Sequence, residues 1–147
     1  MTIDVEEVFH TEYARNSINC KDIFRTPYNV SRVLKLLDEY GARATFFVVG
    51  EVAERCPMVL KEIVDRGHEV AFHSYDHKPL WEKTPDQLEK EIADFNTLLR
   101  SVIGEKCRGF RAPSFSLDNK TRWAVKVLER MGISYDSSIF PAWTPLY

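Results

Sequence analysis

Apolar and polar positions along the chain follow two alternating rhythms. Short runs rich in β-branched and aromatic residues read as strands: Thr2 to Val5, Ala42 to Val49 (ARATFFVV), His68 to His73 (HEVAFH), Arg108 to Arg111 and Ile133 to Asp136. The second run is apolar enough to be buried on both faces. Between the runs, apolar residues recur at helical spacing. Val30, Val33, Leu34 and Leu37 share one face, with Gly41 as a stop. Pro57 to Val64 opens on proline, which suits a first helical position, and Arg66-Gly67 reads as a helix end turning into a strand. The clearest helix starts at Thr84-Pro85-Asp86, where Thr84 caps and Gln87 stands three residues on. Leu88, Ile92, Phe95, Leu98, Leu99 and Val102 mark its buried stripe. A last helix is expected from about Asn119 to Met131, before Gly132.

Strands and helices that alternate in this way predict an α/β fold with a parallel sheet, open or curved into a barrel. About five βα units can be counted, short of the eight of a full barrel, so a distorted or incomplete (β/α) barrel is expected. Residues 1–147 are assigned to one domain. Asn16 to Pro27 is the one long irregular segment, of the kind that lines functional sites.

Composition narrows the partners. The chain is 44% hydrophobic and 12% aromatic, enough for a core, and its charged residues nearly cancel to a formal net charge of −2. No basic surface for nucleic acid is implied, and no run reaches the roughly 18 apolar residues that cross a bilayer. The opening MTIDVEE is not a leader sequence, which sets the expectation of a cytoplasmic chain unless it is part of a longer exported one. Cys20, Cys56 and Cys107 are odd in number and lack CxxC spacing, so reduced thiols are expected, with Cys56 and Cys107 as small buried hydrophobes.

In a parallel α/β sheet, chemistry gathers at the carboxyl ends of the strands. Applied as a filter, that rule selects Asp4 and Glu6 after the first strand, His73 and His77 after the third, Arg111 after the fourth and Asp136 after the fifth. Two imidazoles four residues apart can converge on one ion, although two plain loop histidines would share the spacing. Asp4 and Glu6 point to one side of their strand, and two carboxylates near a metal can divide binding from proton transfer. The competing account makes them, with Glu7, an acidic solvated segment. Arg111 could hold a carboxylate such as Asp4, and backbone N–H groups near Ser114 could face an oxyanion. Tyr75, Trp81, Phe115, Trp143 and Tyr147 lie near these loops, and Trp81 is expected to be exposed.

Taken together, TIDVE at 2–6, ATFFVVGEVAER at 44–55, RGHEVAFHSYDH at 66–77, RGFRAPSFS at 108–116 and YDSS at 135–138 resemble the polysaccharide deacetylase family, also called the NodB-homology or carbohydrate esterase family 4 domain. The resemblance spans nearly the whole chain in the family's order. It implies Asp4 as general base, His73 and His77 as metal ligands, Arg111 as the arginine that orients the base and the Ser114 amide as the oxyanion contact. Asp136 is set against the acidic residue that steadies that arginine. Where the usual opening motif has a second aspartate, this chain has Val5, which makes Glu6 the metal carboxylate. The family's closing Leu-x-His motif, whose histidine protonates the leaving amine, has no counterpart after Asp136. A truncated member is therefore expected, one that binds metal better than it turns over substrate.

The resemblance implies a divalent metal, zinc first and cobalt or nickel as alternatives, and hydrolysis of N-acetyl groups on a polysaccharide or amino sugar. Two alternatives stay open: an allantoinase-like hydrolase of cyclic amides or imides, and an inactive carbohydrate-binding fragment. An incomplete barrel also leaves strand edges through which copies could self-associate.

Overall fold

Every expected strand forms, shortened to the residues that pair across the sheet. In the computed structural model, which describes residues 1–11, 14 and 24–139, these are β1 (Thr2–Val5), β2 (Thr45–Val48), β3 (Glu69–Phe72), β4 (Gly109–Phe110) and β5 (Tyr135–Asp136). All neighbours are parallel and lie side by side in chain order. Crossovers that always step the same way put their helices on one face of the sheet and curve it toward a barrel.

The helices are α1 (Thr26–Glu39), α2 (Gly50–Arg55), α3 (Pro57–Asp65), α4 (Pro85–Ile103) and α5 (Trp123–Arg130). One core joins them to the sheet: Val5, Phe46, Val48, Val70, Phe72 and Phe110 meet Leu34, Leu60, Ile63, Leu88, Ile92, Phe95, Leu99 and Val127. Fully burying each such side chain contributes about 1.5–3 kcal/mol. By alternation, Thr2, Asp4, Thr45, Phe47 and Ala71 face the other way, toward the inside of the curve.

Register decides where chemistry can gather. Val5 pairs with Val48, Val48 with Phe72, Phe72 with Phe110, and Phe110 with Asp136, so the last paired residues stand in one row. The ladder continues one step further through Val49 N to Val5 O (3.1 Å), His73 N to Val48 O (3.0 Å), Arg111 N to Phe72 O (3.0 Å) and Ser137 N to Phe110 O (2.8 Å). Glu6, His73, Arg111 and Ser137 therefore leave the sheet along a single edge.

Three local expectations change. Helix α2 was hidden because the apolar run before it extends through Val49 and the helix is six residues long, set off from α3 by the non-helical backbone of Cys56 (φ −143, ψ 71). Helix α5 starts at Trp123 and not near Asn119. Asp118 Oδ1 accepts from Lys120 N (2.7 Å) and Thr121 N (3.0 Å), a side-chain turn that competes with the helix there. Of the segment Asn16 to Pro27, residues 16–23 lie outside the described ones, as does Cys20, while Thr26 and Pro27 open α1. No helix among the described residues is long and apolar enough to cross a membrane.

Candidate active site

Asp4, at the end of β1, is met by Arg111, which follows β4. The Arg111 Nη1 donates to Asp4 Oδ1 at 2.6 Å, while Nη2 donates to Thr2 Oγ1 (3.1 Å) and Ser137 Oγ (2.8 Å). Nε donates to the Ser137 carbonyl at 3.1 Å, and the guanidinium carbon lies 4.1 Å from the centre of the Phe47 ring. The guanidinium is thus fixed on every edge and on one face, which a planar five-donor group allows and an ammonium does not. Asp136 does not share in this, contrary to the sequence expectation. Its carboxylate accepts from Ser138 N (3.0 Å) and Ser138 Oγ, and Ser138 Oγ in turn accepts from Ala112 N (2.7 Å). Asp136 steadies the backbone after Arg111, and Ser137 holds the guanidinium itself. The YDSS segment contains both, but an acidic residue draws attention that a serine carbonyl does not.

His73 and His77 are both buried. His73 Nδ1 lies 2.7 Å from the Arg111 carbonyl, which can only accept, so Nδ1 carries the hydrogen and the Nε2 lone pair is left for another partner. Burial lowers the His73 pKa despite Asp4 and the Arg111 carbonyl, which favours this neutral form. Nε2 stands 4.0 Å from Asp4 Oδ2, and the two imidazole centres are 5.0 Å apart, edge to face. Glu6 approaches His77, with Oε2 and Nε2 2.9 Å apart. Burial by itself would raise the Glu6 pKa, but the neighbouring His77 and His73 bring it below its ordinary value.

Two imidazoles and a carboxylate are a donor set that suits zinc and its neighbours. Glu6 Oε2 is buried and receives no well-aligned hydrogen bond, as expected of a ligand atom. Among the described residues, no three His, Cys, Asp or Glu side chains stand together at metal-ligand spacing.

All the non-glycine residues with positive φ among the described ones lie on this rim: Ser74 (64°), His77 (56°), Ser114 (53°) and Phe115 (50°). Such backbone is uncommon and gathers at functional loops. Only His77 is of a type enriched in such backbone; two serines and a phenylalanine carry no such signal. Trp81 and Phe115 are exposed as rim aromatics, Tyr75 is half-buried, and Trp143 and Tyr147 lie outside the described residues.

Sequence reasoning also missed the residues behind Glu6. Glu7 is buried, not solvated, and its Oε1 accepts from Arg25 N (2.7 Å), Thr26 N (2.7 Å) and Thr26 Oγ1 (2.6 Å) at the start of α1. His10 is buried too. Its Nδ1 accepts from Glu7 N at 2.9 Å, and its Nε2 lies 3.3 Å from Glu51 Oε2.

This fold and rim define a class: an incomplete parallel (β/α) barrel whose strand ends gather two imidazoles, two carboxylates and an arginine. Residues 21–135 match the polysaccharide deacetylase family model, and the chain belongs to that family. It is 35% identical over 132 residues to the peptidoglycan deacetylase-like protein FGM2 of Gibberella zeae, a match covering 87% of this chain and 38% of that protein. Against the peptidoglycan deacetylase of Helicobacter pylori it is 31% identical over 128 residues, covering 86% and 43%. Among solved structures, a polysaccharide deacetylase family member from Mycobacterium smegmatis superposes with a TM-score of 0.76 at 30% identity, over 95% of this chain and 50% of that one. The chain thus spans half or less of the length of these relatives.

Proposed function

We propose that this chain provides the metal-holding and proton-accepting side of a hydrolase that removes N-acetyl groups from a polysaccharide or amino sugar. The observation that carries the reading is the separation of its two carboxylates. Asp4 is taken by Arg111 at 2.6 Å, and Glu6 faces His77 at 2.9 Å, although the two sit on one side of the same strand end. The peptidoglycan deacetylase of Helicobacter pylori among the relatives supports an acetylated glycan as the substrate class.

Glu6, His73 and His77 would hold a divalent ion, zinc first and cobalt or nickel as alternatives. When bound, it supplies Lewis-acid polarisation of the acetyl carbonyl and a more acidic water. The protein's own groups do the rest. Asp4 accepts the proton of the attacking water through Oδ2, the oxygen turned toward His73, because Arg111 occupies Oδ1. Arg111 keeps that carboxylate in one orientation. His73 is held by the Arg111 carbonyl in the tautomer that presents Nε2. The Ser114 amide donates to the oxyanion that develops on the acetyl group.

The test separates the carboxylates. Stripped of metal and titrated with Zn2+ in a calorimeter, the chain binds a single ion. Glu6→Gln weakens binding by about 100-fold or more, whereas Asp4→Asn leaves it within about threefold but removes the residual acetate release that the unaltered chain shows with N-acetylglucosamine oligomers. Unchanged zinc binding by the His73→Ala/His77→Ala double variant would overturn the site. Ring opening of cyclic amides without acetate release would replace the substrate class.

A further inference from the structure

The loop that carries the histidine pair is held in shape from outside. Ser74 and His77 adopt left-handed backbone that non-glycine residues keep only where their surroundings enforce it. On one side, the first amides of α2 hold the loop's carbonyls: Gly50 N donates to Ser74 O and Glu51 N to Tyr75 O, each at 2.9 Å. Gly50 is required for this approach, since a Cβ there would stand 2.7 Å from Tyr75 Cδ2 and 3.0 Å from Tyr75 Cα.

On the other side stands a partly buried ionic network, with the Lys83 ammonium at its centre, that the proposed chemistry does not use. Glu91, on α4, accepts from Tyr75 N (3.2 Å) and Ser74 Oγ (3.4 Å) through Oε2. Its Oε1 is bound to the Lys83 ammonium, which also reaches Asp76 Oδ1 at 2.9 Å. The Lys83 side chain is only 4% exposed, against 26% for Asp76 and 18% for Glu91. Asp76 Oδ1 also accepts from Lys78 N at 3.3 Å. A buried ammonium between two carboxylates is a poor source of stability compared with an apolar replacement, and its best-attested use is to specify one arrangement over others. Here the arrangement specified is the path of the chain from Ser74 to His77.

We infer that Glu91 and Lys83 are positioning residues for the histidine pair: through Ser74, Tyr75 and Asp76 they set the backbone that turns His73 and His77 toward a common ion, without touching that ion. This rests on the reading of His73 and His77 as metal ligands. It assigns to Glu91 of α4 and to Lys83 just before that helix, neither of which contributes a group to the rim, control over the affinity and geometry of the rim's metal. Outer partners of metal ligands commonly change affinity by about 10–100-fold.

The experiment uses the metal-free chain, Co2+ as probe, and the variants Glu91→Gln, Lys83→Met and Lys83→Arg. Leu99→Val, in the core of α4 away from the loop, serves as a destabilised control. Two quantities are read on folded protein: amide exchange at Tyr75 without metal, and the affinity and visible spectrum of bound Co2+. Glu91→Gln and Lys83→Met are expected to speed Tyr75 exchange at least tenfold, weaken Co2+ by about 10–100-fold and alter its d–d bands. Lys83→Arg restores affinity to within about threefold, and Leu99→Val moves neither quantity. Unchanged Co2+ affinity and spectrum in folded Glu91→Gln or Lys83→Met, with tight binding by the unaltered chain, overturns the positioning role and leaves the metal site standing. If the unaltered chain binds no Co2+, the metal reading fails by itself. Tyr75 exchange then decides whether the network holds the loop, and unchanged exchange in the variants overturns that as well.

Discussion

Arg111 shows how much one side chain can settle. Its guanidinium joins β1, through Asp4 and Thr2, to the segment after β5, through Ser137, and so closes the rim across the breadth of the sheet. The side chain is 12% exposed and Asp4 36%, so the pair is worth more than a surface ion pair and less than a fully buried one. Arg111→Ala should lower the unfolding free energy by about 2 kcal/mol, and Arg111→Lys by about 1 kcal/mol, because lysine keeps the charge but not the fork. Urea titration of the three proteins checks this, and equal midpoints would mean the arginine serves chemistry alone. At this scale, Asp4, Glu6, His73, His77 and Arg111 were legible in the sequence because they combine reactive groups with a place at a strand end. Ser137 was not, since it acts through a carbonyl and a hydroxyl. Asp136 was over-read for the opposite reason: its charge suggested Arg111 as its partner, whereas its carboxylate is held by Ser138.

Elements were legible wherever their ends carry local signals. Helix α4 opens as expected, with Thr84 Oγ1 accepting from Gln87 N (3.3 Å) and Gln87 Oε1 accepting from Thr84 N (2.8 Å). Helix α1 has no such signal. Its cap residue Arg25 makes no side-chain capping bond, and Glu7, 18 residues earlier than Arg25, does the work instead. A cap supplied from a distant strand end cannot be read from spacing. It ties α1 to the segment that carries Glu6, so the start of the helix and the placement of the rim carboxylate depend on each other. Thr84→Ala should cost about 1 kcal/mol, the usual value for a lost cap. Glu7→Ala should cost about 2 kcal/mol or more, since it leaves two helix-start N–H groups and a buried hydroxyl without their acceptor. Chemical denaturation ranks the two, and a smaller loss for Glu7→Ala would show that water replaces its carboxylate readily.

Across the whole molecule, the sheet has two unlike edges. The carboxyl edge gathers Asp4, Glu6, His73, His77 and Arg111, and the amino end of β4 and β5 is packed around Gly109. There Tyr135 lies over Gly109, where a Cβ would come within 2.3 Å of the ring, and Cys107 Sγ donates to the Gly109 carbonyl at 3.0 Å. Burial pushes the Cys107 thiol from 9.0 up to about 12. Burial, with a hydrogen bond to Glu69, moves the Tyr135 hydroxyl from 10.0 to about 12. Both groups bind their protons more tightly folded than unfolded, so their contribution is complete below the unfolded values and fades as pH rises from about 9 to about 12. The unfolding free energy should therefore fall across that range, and Cys107→Ala or Tyr135→Phe should each make the fall shallower. At pH 8 a thiol reagent followed by peptide mapping should find Cys107 unmodified until urea opens the core. A flat alkaline profile in the unaltered chain would remove the argument. Because these two residues sit at the opposite ends of the strands from His73 and His77, neither substitution should alter zinc affinity at neutral pH. Stability and metal binding would then be separable properties of the two edges of one sheet.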